Sequence, residues 1–219
     1  MTDALLTRRL VLSLAVGAAA ACSRPGGDDA VQASNTRDIP MSLWLGGGSE
    51  GDAYPEVDLT SGRNKNRRLR GPFEWINPRT GDRHLVYERT KTQKRKLKRQ
   101  VFTVTHGGQG VGRLLDERTD RAPRNFEGDI LFPLGEWADG ERRSFEATEY
   151  TVIGPARRSI EIRIKALDYT YKGAPHSLKF DWIATDAAGR TLYRERYIYS
   201  PGVGLAKYEN LLNEKPKSS

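Results

Sequence analysis

Short runs of alternating apolar and polar residues cover the chain from about residue 71 onward. In the clearest run, Ile160, Ile162 and Ile164 alternate with charged residues at positions 161, 163 and 165. A period of two is that of a strand with one buried and one solvated face. Similar runs are separated by turn-like segments such as "NPRTGD" and "SPGVG". We therefore predict an all-β fold, a single antiparallel barrel, half-barrel or sandwich of about eight to ten strands.

The pattern divides the chain into four parts. Residues 1–21 read as an export signal, residues 22–70 as a flexible tether that begins with a lipidated cysteine, residues 71–213 as the β-rich domain and residues 214–219 as a disordered tail. The tether is polar and rich in Gly and Pro, apart from an apolar group at Leu43–Leu45 that could dock onto the domain. The pattern also allows a short helix at residues 206–213.

The N-terminus has the features of an export signal. Arg8 and Arg9 precede a 12-residue apolar run, Leu10 to Ala21, in which only Ser13 is polar. This run is too short to span a membrane and is followed at once by Cys22, the single cysteine of the chain. A single cysteine excludes an internal disulfide.

The Ala-Ala-Ala-Cys sequence that ends at Cys22 resembles the lipobox of bacterial lipoproteins, with Ala19 where Leu is usual. The resemblance implies cleavage before Cys22, lipidation of its thiol and a cell-envelope location, on the periplasmic side. Ser23 resembles the residue that directs lipoproteins to the outer rather than the inner membrane. An ordinary Ala-x-Ala cleavage without lipid remains open. "TRRLVL" resembles a twin-arginine motif, so both export routes remain open as well.

Two stretches of the domain, "ILFPLGEWADGE" and "YIYSPGVGLAKYEN", resemble parts of uncharacterised β-rich bacterial envelope proteins. The resemblance is short and implies no catalytic residue.

Positive charge is concentrated in one segment. The chain has 36 Lys and Arg against 28 Asp and Glu, a net charge of +8. Residues 63–99 contain 14 basic and three acidic residues, a net charge of +11. Such a segment attracts polyanions. In the envelope these are anionic lipids, lipopolysaccharide and acidic proteins rather than nucleic acid. The residues predicted to bind an anion or partner are Arg67, Arg68, Arg70, Lys91, Lys94, Arg95, Lys96, Lys98 and Arg99. The alternative is a solvated hairpin that protects an edge strand.

Tyrosines are concentrated near the C-terminus. In a strand, Tyr193, Tyr197 and Tyr199 share one side with Glu195. They are candidates to line a ligand cleft of a half-barrel, or to form a cross-strand ladder that supports the sheet.

We find no pattern that predicts catalysis, a metal or a cofactor. "GGSEG" has the Gly-x-Ser-x-Gly form but no helix pattern follows it, and no His-Glu-x-x-His sequence occurs. The sequence thus predicts a lipid-anchored envelope protein that is not an enzyme and binds an anionic partner or surface through its basic segment. The alternative function is a half-barrel carrier or sensor of an apolar ligand.

Overall fold

The computed structural model describes residues 35–46, 54–59, 67–93 and 96–212, and of residues 54–59 and Gln93 only the backbone. The predictions for the export signal, Cys22, Lys94, Arg95 and the tail at residues 214–219 lie outside the described residues.

The described part of the chain is almost entirely β-structure, which confirms the predicted fold class. It has one five-residue helix, α1 (Met41–Leu45), and a short 3₁₀ turn at His106–Gly108. The strands are β1 (Thr36–Ile39), β2 (Tyr54–Leu59), β3 (Arg67–Ile76), β4 (Arg83–Gln93), β5 (Lys96–Thr105), β6 (Gly110–Arg118), β7 (Arg121–Glu127), β8 (Phe132–Pro133), β9 (Gly135–Ala138), β10 (Arg142–Thr151), β11 (Gly154–Tyr171), β12 (Ala174–Asp186), β13 (Thr191–Ser200) and β14 (Gly204–Asn210).

Most strands pair with their neighbours in sequence. The main sheet has the antiparallel order β2-β3-β4-β5-β6-β7-β10-β11-β12-β13-β14, with β8 attached to β6, and β1 pairs separately with β9. Within the described strands β2 and β14 are edges, so the sheet is not closed into a barrel. The strand number exceeds the predicted eight to ten. One reason is that polar strands such as β7, with Phe126 as its only buried residue, carry little periodic signal.

Residues 204–210 form a strand and not a helix. β14 pairs with β13, and Tyr208 lies opposite Tyr197. The short helix allowed for residues 206–213 is therefore wrong over the described residues. Pairing with a neighbouring strand outweighs local helix preference, which is weak in so short a segment.

Part of the predicted tether belongs to the core. Trp44 of α1 is 5% exposed, and its ring lies 5.1 Å from that of Phe102 and 5.8 Å from that of Tyr87. Ile39 of β1 is also buried. The apolar group at Leu43–Leu45 docks onto the domain, as the sequence allowed, because its side chains fill the concave side of the sheet. The flexible tether predicted for residues 22–70 is wrong over β1, β2 and residues 67–70 of β3, which are paired strands.

The residues of the core fall on both faces of the sheet. The larger cluster fills the concave side and includes Phe132, Trp137, Ile162 and Phe180. A smaller cluster on the convex side includes Val86, Val101 and Leu115, with Phe73 and Trp75 packed against it. No helix in the described ranges is long and apolar enough to cross a membrane.

Candidate functional site

Strand alternation divides the basic segment between the two faces of the sheet. On β4 and β5, Arg89, Lys91 and Lys98 share the concave face with Phe102, whereas Arg99 shares the convex face with Val101. Arg67 of β3 also lies on the concave face. The basic segment, predicted from the sequence to form one surface, therefore contributes to two surfaces, one on the concave face and one on the convex face of the sheet.

On the convex face, acidic residues pair with the arginines. Arg70 Nε donates a hydrogen bond to Glu88 Oε1 at 2.8 Å, and Arg99 binds both Glu88 and Glu117. Burial by itself would raise the pKa of Glu88, but the hydrogen bonds from Arg99 and Arg70 outweigh it and lower that pKa. These paired charges offer little attraction to an external anion.

Two further predicted residues of the segment are described by the structure, Arg68 and Lys96, and both are exposed. Lys96 Nζ donates to Asp120 Oδ2 at 3.0 Å in the turn between β6 and β7. Of the nine residues predicted to bind an anion, the structure brings three together on the concave face: Arg67, Lys91 and Lys98.

On the concave face the cations line a cleft of about 440 Å³. This volume lies within the range of about 300–1,000 Å³ that is typical of small-molecule sites. Seven of its lining residues are basic and come from six strands. The lining residues are Arg67, Arg89, Lys91, Lys98, Gln100, Arg113, Arg124, Leu131, Arg158, Trp182, Tyr193, Glu195, Tyr197, Leu205 and Tyr208.

Buried carboxylates hold some of these cations in place. Asp116, 1% exposed, accepts hydrogen bonds from Arg121 and Arg124, both at 3.2 Å. Arg124 also donates to Glu149 Oε1 at 2.9 Å, and Arg158 pairs with the same carboxylate. These bonds orient the guanidinium groups before any ligand arrives.

A loop between β7 and β8 closes the floor of the cleft. Asp129 in this loop accepts a hydrogen bond from Arg113 Nε at 2.8 Å, and Trp182 Nε1 donates to the carbonyl of Ile130 at 2.7 Å. The loop lies against Gly112, where an added Cβ would lie 1.7 Å from the Asp129 carbonyl oxygen. Only glycine permits this approach, so Gly112 is needed to bring Asp129 beneath the cations.

The cations of the cleft outnumber the nearby carboxylates. Seven Lys and Arg face four acids: Asp116, Asp129, Glu149 and Glu195. Arg89 donates to Gln100 Oε1 at 3.3 Å, and its buried Nε has no hydrogen-bond partner among the described residues. Burial, with the like charge of Arg67, lowers the pKa of Arg89, although a guanidinium remains protonated at neutral pH.

The pKa of Lys98, like that of Arg89, is lowered by burial in the cleft. Burial lowers its pKa to about 8, while the Asp116 carboxylate, 3.8 Å from Nζ, offsets part of that effect. The cleft thus contains cations that are half-buried and partly shielded from water, and an anion would add favourable contacts to them.

The predicted tyrosines lie on the opposite wall. Tyr193 and Tyr197 of β13 line the cleft with Tyr208 of β14. The hydroxyls of Tyr197 and Tyr208 both donate to Glu195, the latter at 2.8 Å. Tyr199 is instead buried in the core, where its ring packs against Phe132 at 4.6 Å. Both roles that the sequence allowed for these tyrosines therefore occur. Tyr193 and Tyr197 line the cleft, and Tyr199 supports the sheet.

The sequence analysis missed the cations from more distant strands, namely Arg113, Arg124 and Arg158, and also Arg89 within the basic segment. The sequence contains a pattern that could have predicted two of these residues, Arg158 and Arg124. Arg158 is in phase with the buried Ile160, and Arg124 with the buried Phe126. An arginine in the buried phase of a strand indicates a charge directed to the concave side, where it requires a partner or a ligand.

The arrangement suits the binding of an anion with an aromatic or apolar part. Within the part of the chain that the structure describes, no group of three or more His, Cys, Asp or Glu could hold a metal ion. Comparison of this chain with protein-family models, with curated proteins and with solved structures finds no match.

Proposed function

We propose that this protein is an envelope-located binding protein whose cleft holds an amphiphilic anion. The acidic group of the ligand contacts the arginine cluster, and its aromatic or apolar part lies against Tyr193, Tyr197 and Trp182. The observation that carries this proposal is the convergence of seven basic side chains from six strands on one cleft. It joins the two functions predicted from the sequence, recognition of an anion and carriage of a ligand in a half-barrel.

The electrostatics of the cleft favour an anionic ligand over a purely apolar one. A purely apolar molecule would remove water from Arg89 and Lys98 without replacing the lost hydrogen bonds, which is unfavourable. An acidic group would form charge-assisted hydrogen bonds with cations that Asp116 and Glu149 already orient. Because the side chains are positioned in advance, little entropy is lost on binding.

The wall formed by β13 and β14 favours a ring or chain on the remainder of the ligand. Tyrosine and tryptophan present apolar surface together with a polar tip. Tyr197 and Tyr208 are held by Glu195, so their rings offer a fixed surface. A simple inorganic anion would leave this surface unused.

The sequence supports the location. The apolar run before Cys22 and the lipobox-like sequence favour export and attachment to a membrane by lipid, on the periplasmic side. Phosphorylated and carboxylated amphiphiles are the anionic ligands expected in that compartment.

The proposal can be tested with two fluorescent probes that differ in one group. Anilinonaphthalene sulfonate is an anionic amphiphile, and phenylnaphthylamine is the same ring system without the sulfonate. Each is titrated against the mature chain from residue 22 with Cys22→Ser, which contains every described residue. We expect saturable binding of the sulfonate, at least about tenfold tighter than that of the neutral probe, since hydrogen bonds to charged groups contribute roughly 1.5–3 kcal/mol.

A matched pair of variants locates the binding. Arg89→Gln removes a cleft cation of β4, whereas Arg83→Gln makes the same change on an exposed arginine of that strand. We expect Arg89→Gln to reduce the preference for the sulfonate and Arg83→Gln to leave it unchanged. Equal affinity of the two probes, or equal behaviour of the two variants, would overturn the proposal.

A further inference from the structure

Exposed apolar side chains are concentrated at one end of the sheet. We call this the mouth end, because the cleft lies toward it. It consists of the strand ends, four residues each, that lead into or out of the connections β2–β3, β4–β5, β6–β7, β10–β11 and β12–β13, together with the described residues of those connections and of the segment after β14. Five of the eight large hydrophobic side chains that are exposed among the described residues lie there: Leu97, Val152, Ile153, Tyr193 and Leu212.

The most exposed pair forms the tip of one hairpin. Val152 is 82% and Ile153 97% exposed, in the two-residue turn between β10 and β11. Thr151 Oγ1 accepts a hydrogen bond from the Ile153 N–H at 3.2 Å, and it donates to the Gly154 carbonyl at 3.3 Å. These bonds define the turn and hold two apolar side chains at its tip, where Gly, Asn, Asp and Ser are the usual residues.

The surroundings of this tip are basic. Among the described side chains of the mouth end, seven exposed residues are basic and one is acidic. The basic residues are Arg68, Arg70, Lys96, Arg121, Arg157, Arg190 and Arg194, and the acidic residue is Asp120. Arg70, Lys96, Arg121 and Arg190 also pair with carboxylates of the chain, which reduces their share of the attraction. Adjacent hairpins of a sheet are about 10 Å apart. Arg157 on the tip's own hairpin, with Arg121, Arg190 and Arg194 on the two neighbouring hairpins, is therefore close to the apolar tip on the scale of lipid headgroups.

We propose that the mouth end is a membrane-contact surface for an anionic lipid bilayer. Val152 and Ile153 enter the headgroup region, and the basic side chains around them bind the lipid phosphates. The charge favours a lipid bilayer as the partner of this surface. An apolar tip within a basic surface is complementary to an anionic bilayer, whose headgroups are negative and whose interior is apolar.

The size of the apolar tip argues against a second copy of the chain. Each partner of a standard protein interface buries about 800 Å². Two side chains at a turn present only a fraction of that area, and two copies would bring like-charged surfaces together. Membrane contact would place the mouth of the cleft at the lipid surface, but the proposal does not require that the cleft binds a ligand.

The test uses the mature chain from residue 22 with Cys22→Ser, so that no acyl chain contributes to binding. The chain is sedimented with vesicles of phosphatidylcholine, with or without phosphatidylglycerol. We expect binding to the anionic vesicles only, and weaker binding as salt shortens the Debye length. Changing Val152 and Ile153 together to Ser should reduce the affinity at least about tenfold, because the apolar contribution is lost.

The control changes two exposed hydrophobic residues outside the mouth end. Ile76 and Leu85 are 57% and 62% exposed, and their change to Ser should leave vesicle binding as in the parent chain. Insertion can also be observed directly, because Cys22→Ser removes the single cysteine. An environment-sensitive dye on Ile153→Cys should shift to shorter wavelength with anionic vesicles, whereas the same dye on Leu85→Cys should not.

Several outcomes would overturn the proposal. These are equal binding of the tip variant and the parent, an equal loss in the control variant, equal binding to neutral vesicles, or no dye shift at position 153. If the tip variant changes the sedimentation coefficient of the chain in the absence of vesicles, the surface contacts a second copy and not a membrane.

Discussion

The guanidinium carbon of Arg89 lies 4.6 Å from the centre of the Phe102 ring, so a cation of the cleft rests on an aromatic side chain of the core. The same ring meets Trp44 of α1 edge-on at 5.1 Å. Cation–aromatic contacts of this kind favour a fixed position of the charge, more so where water is excluded. The same guanidinium carbon lies 6.0 Å from the Trp44 ring, so the short helix α1 supports the cleft both directly and through Phe102.

Replacing Trp44 with Ala should destabilise the whole domain. Loss of a large buried aromatic side chain costs about 3–5 kcal/mol in the free energy of unfolding, measured by urea titration. Trp75→Ala is the matched control, because Trp75 is only partly buried on the convex side, and it should cost about 1–2 kcal/mol. An unchanged unfolding free energy for Trp44→Ala would mean that residues 41–45 are not part of the core in solution.

Binding of a sulfonate probe should weaken as pH rises through about 8. The pKa of Lys98 is lowered to about 8 in the folded chain, and a bound anion favours its protonated form. Between pH 7 and 9 we expect the affinity for anilinonaphthalene sulfonate, which stays ionised, to fall by up to about tenfold per pH unit above 8. Lys98→Met should remove this pH dependence, and a parent chain with a flat profile would contradict the assignment.

The same shift has an effect on stability with a defined sign. The folded-state pKa of Lys98 lies below its unfolded value of 10.5, so the unfolded chain binds more protons between the two values. Without ligand, the free energy of unfolding of the parent should therefore rise with pH from about 8 to about 10, relative to Lys98→Met. A relative fall over this range would show that the Lys98 pKa is raised and not lowered.

Asp116→Asn should separate stability from anion binding. Its carboxylate lies among Arg113, Arg121 and Arg124. Removing its charge leaves the largely buried Arg113 and Arg124 with one carboxylate partner each, Asp129 and Glu149, and should cost about 3 kcal/mol in the free energy of unfolding. The cleft also becomes more positive, and the affinity for the sulfonate probe should rise by about threefold or more.

The matched control for this prediction is Asp120→Asn. Asp120 pairs with Lys96 and Arg118 in an exposed turn, and its loss should alter stability and probe affinity little. Weaker probe binding by a folded Asp116→Asn chain would show that this carboxylate orients the cations more than it neutralises them.

Cys22→Ser should release the exported protein from membranes after a high-salt wash. Salt screens the contacts of exposed basic residues, whereas a diacylglycerol anchor is unaffected by it. Ser23→Ala leaves Cys22 in place and should remain membrane-bound. Retention of Cys22→Ser in washed membranes would contradict attachment by lipid at this residue.

Local periodicity alone determined the strand character of the chain. Successive side chains of a strand point to opposite sides of the sheet. The alternation around Ile160, Ile162 and Ile164 therefore predicts an extended strand with these three residues on one buried face, and β11 has this arrangement. The same rule placed Tyr193 and Tyr197 on one face, and the structure puts both in the cleft wall. These features depend on residues two apart, so they can be predicted without knowledge of the fold.

Tertiary structure decided everything that depends on which strands meet. Arg89 of β4 and Tyr197 of β13 line one cleft although more than 100 residues separate them, and only the curvature of the sheet brings them together. Likewise, Trp44 became a core residue and residues 204–210 a strand because the neighbours that bury or pair them are distant in sequence. Such contacts form because they bury apolar surface and complete hydrogen bonds across the sheet. They join residues that are distant in the chain, so they cannot be predicted from a short stretch of sequence.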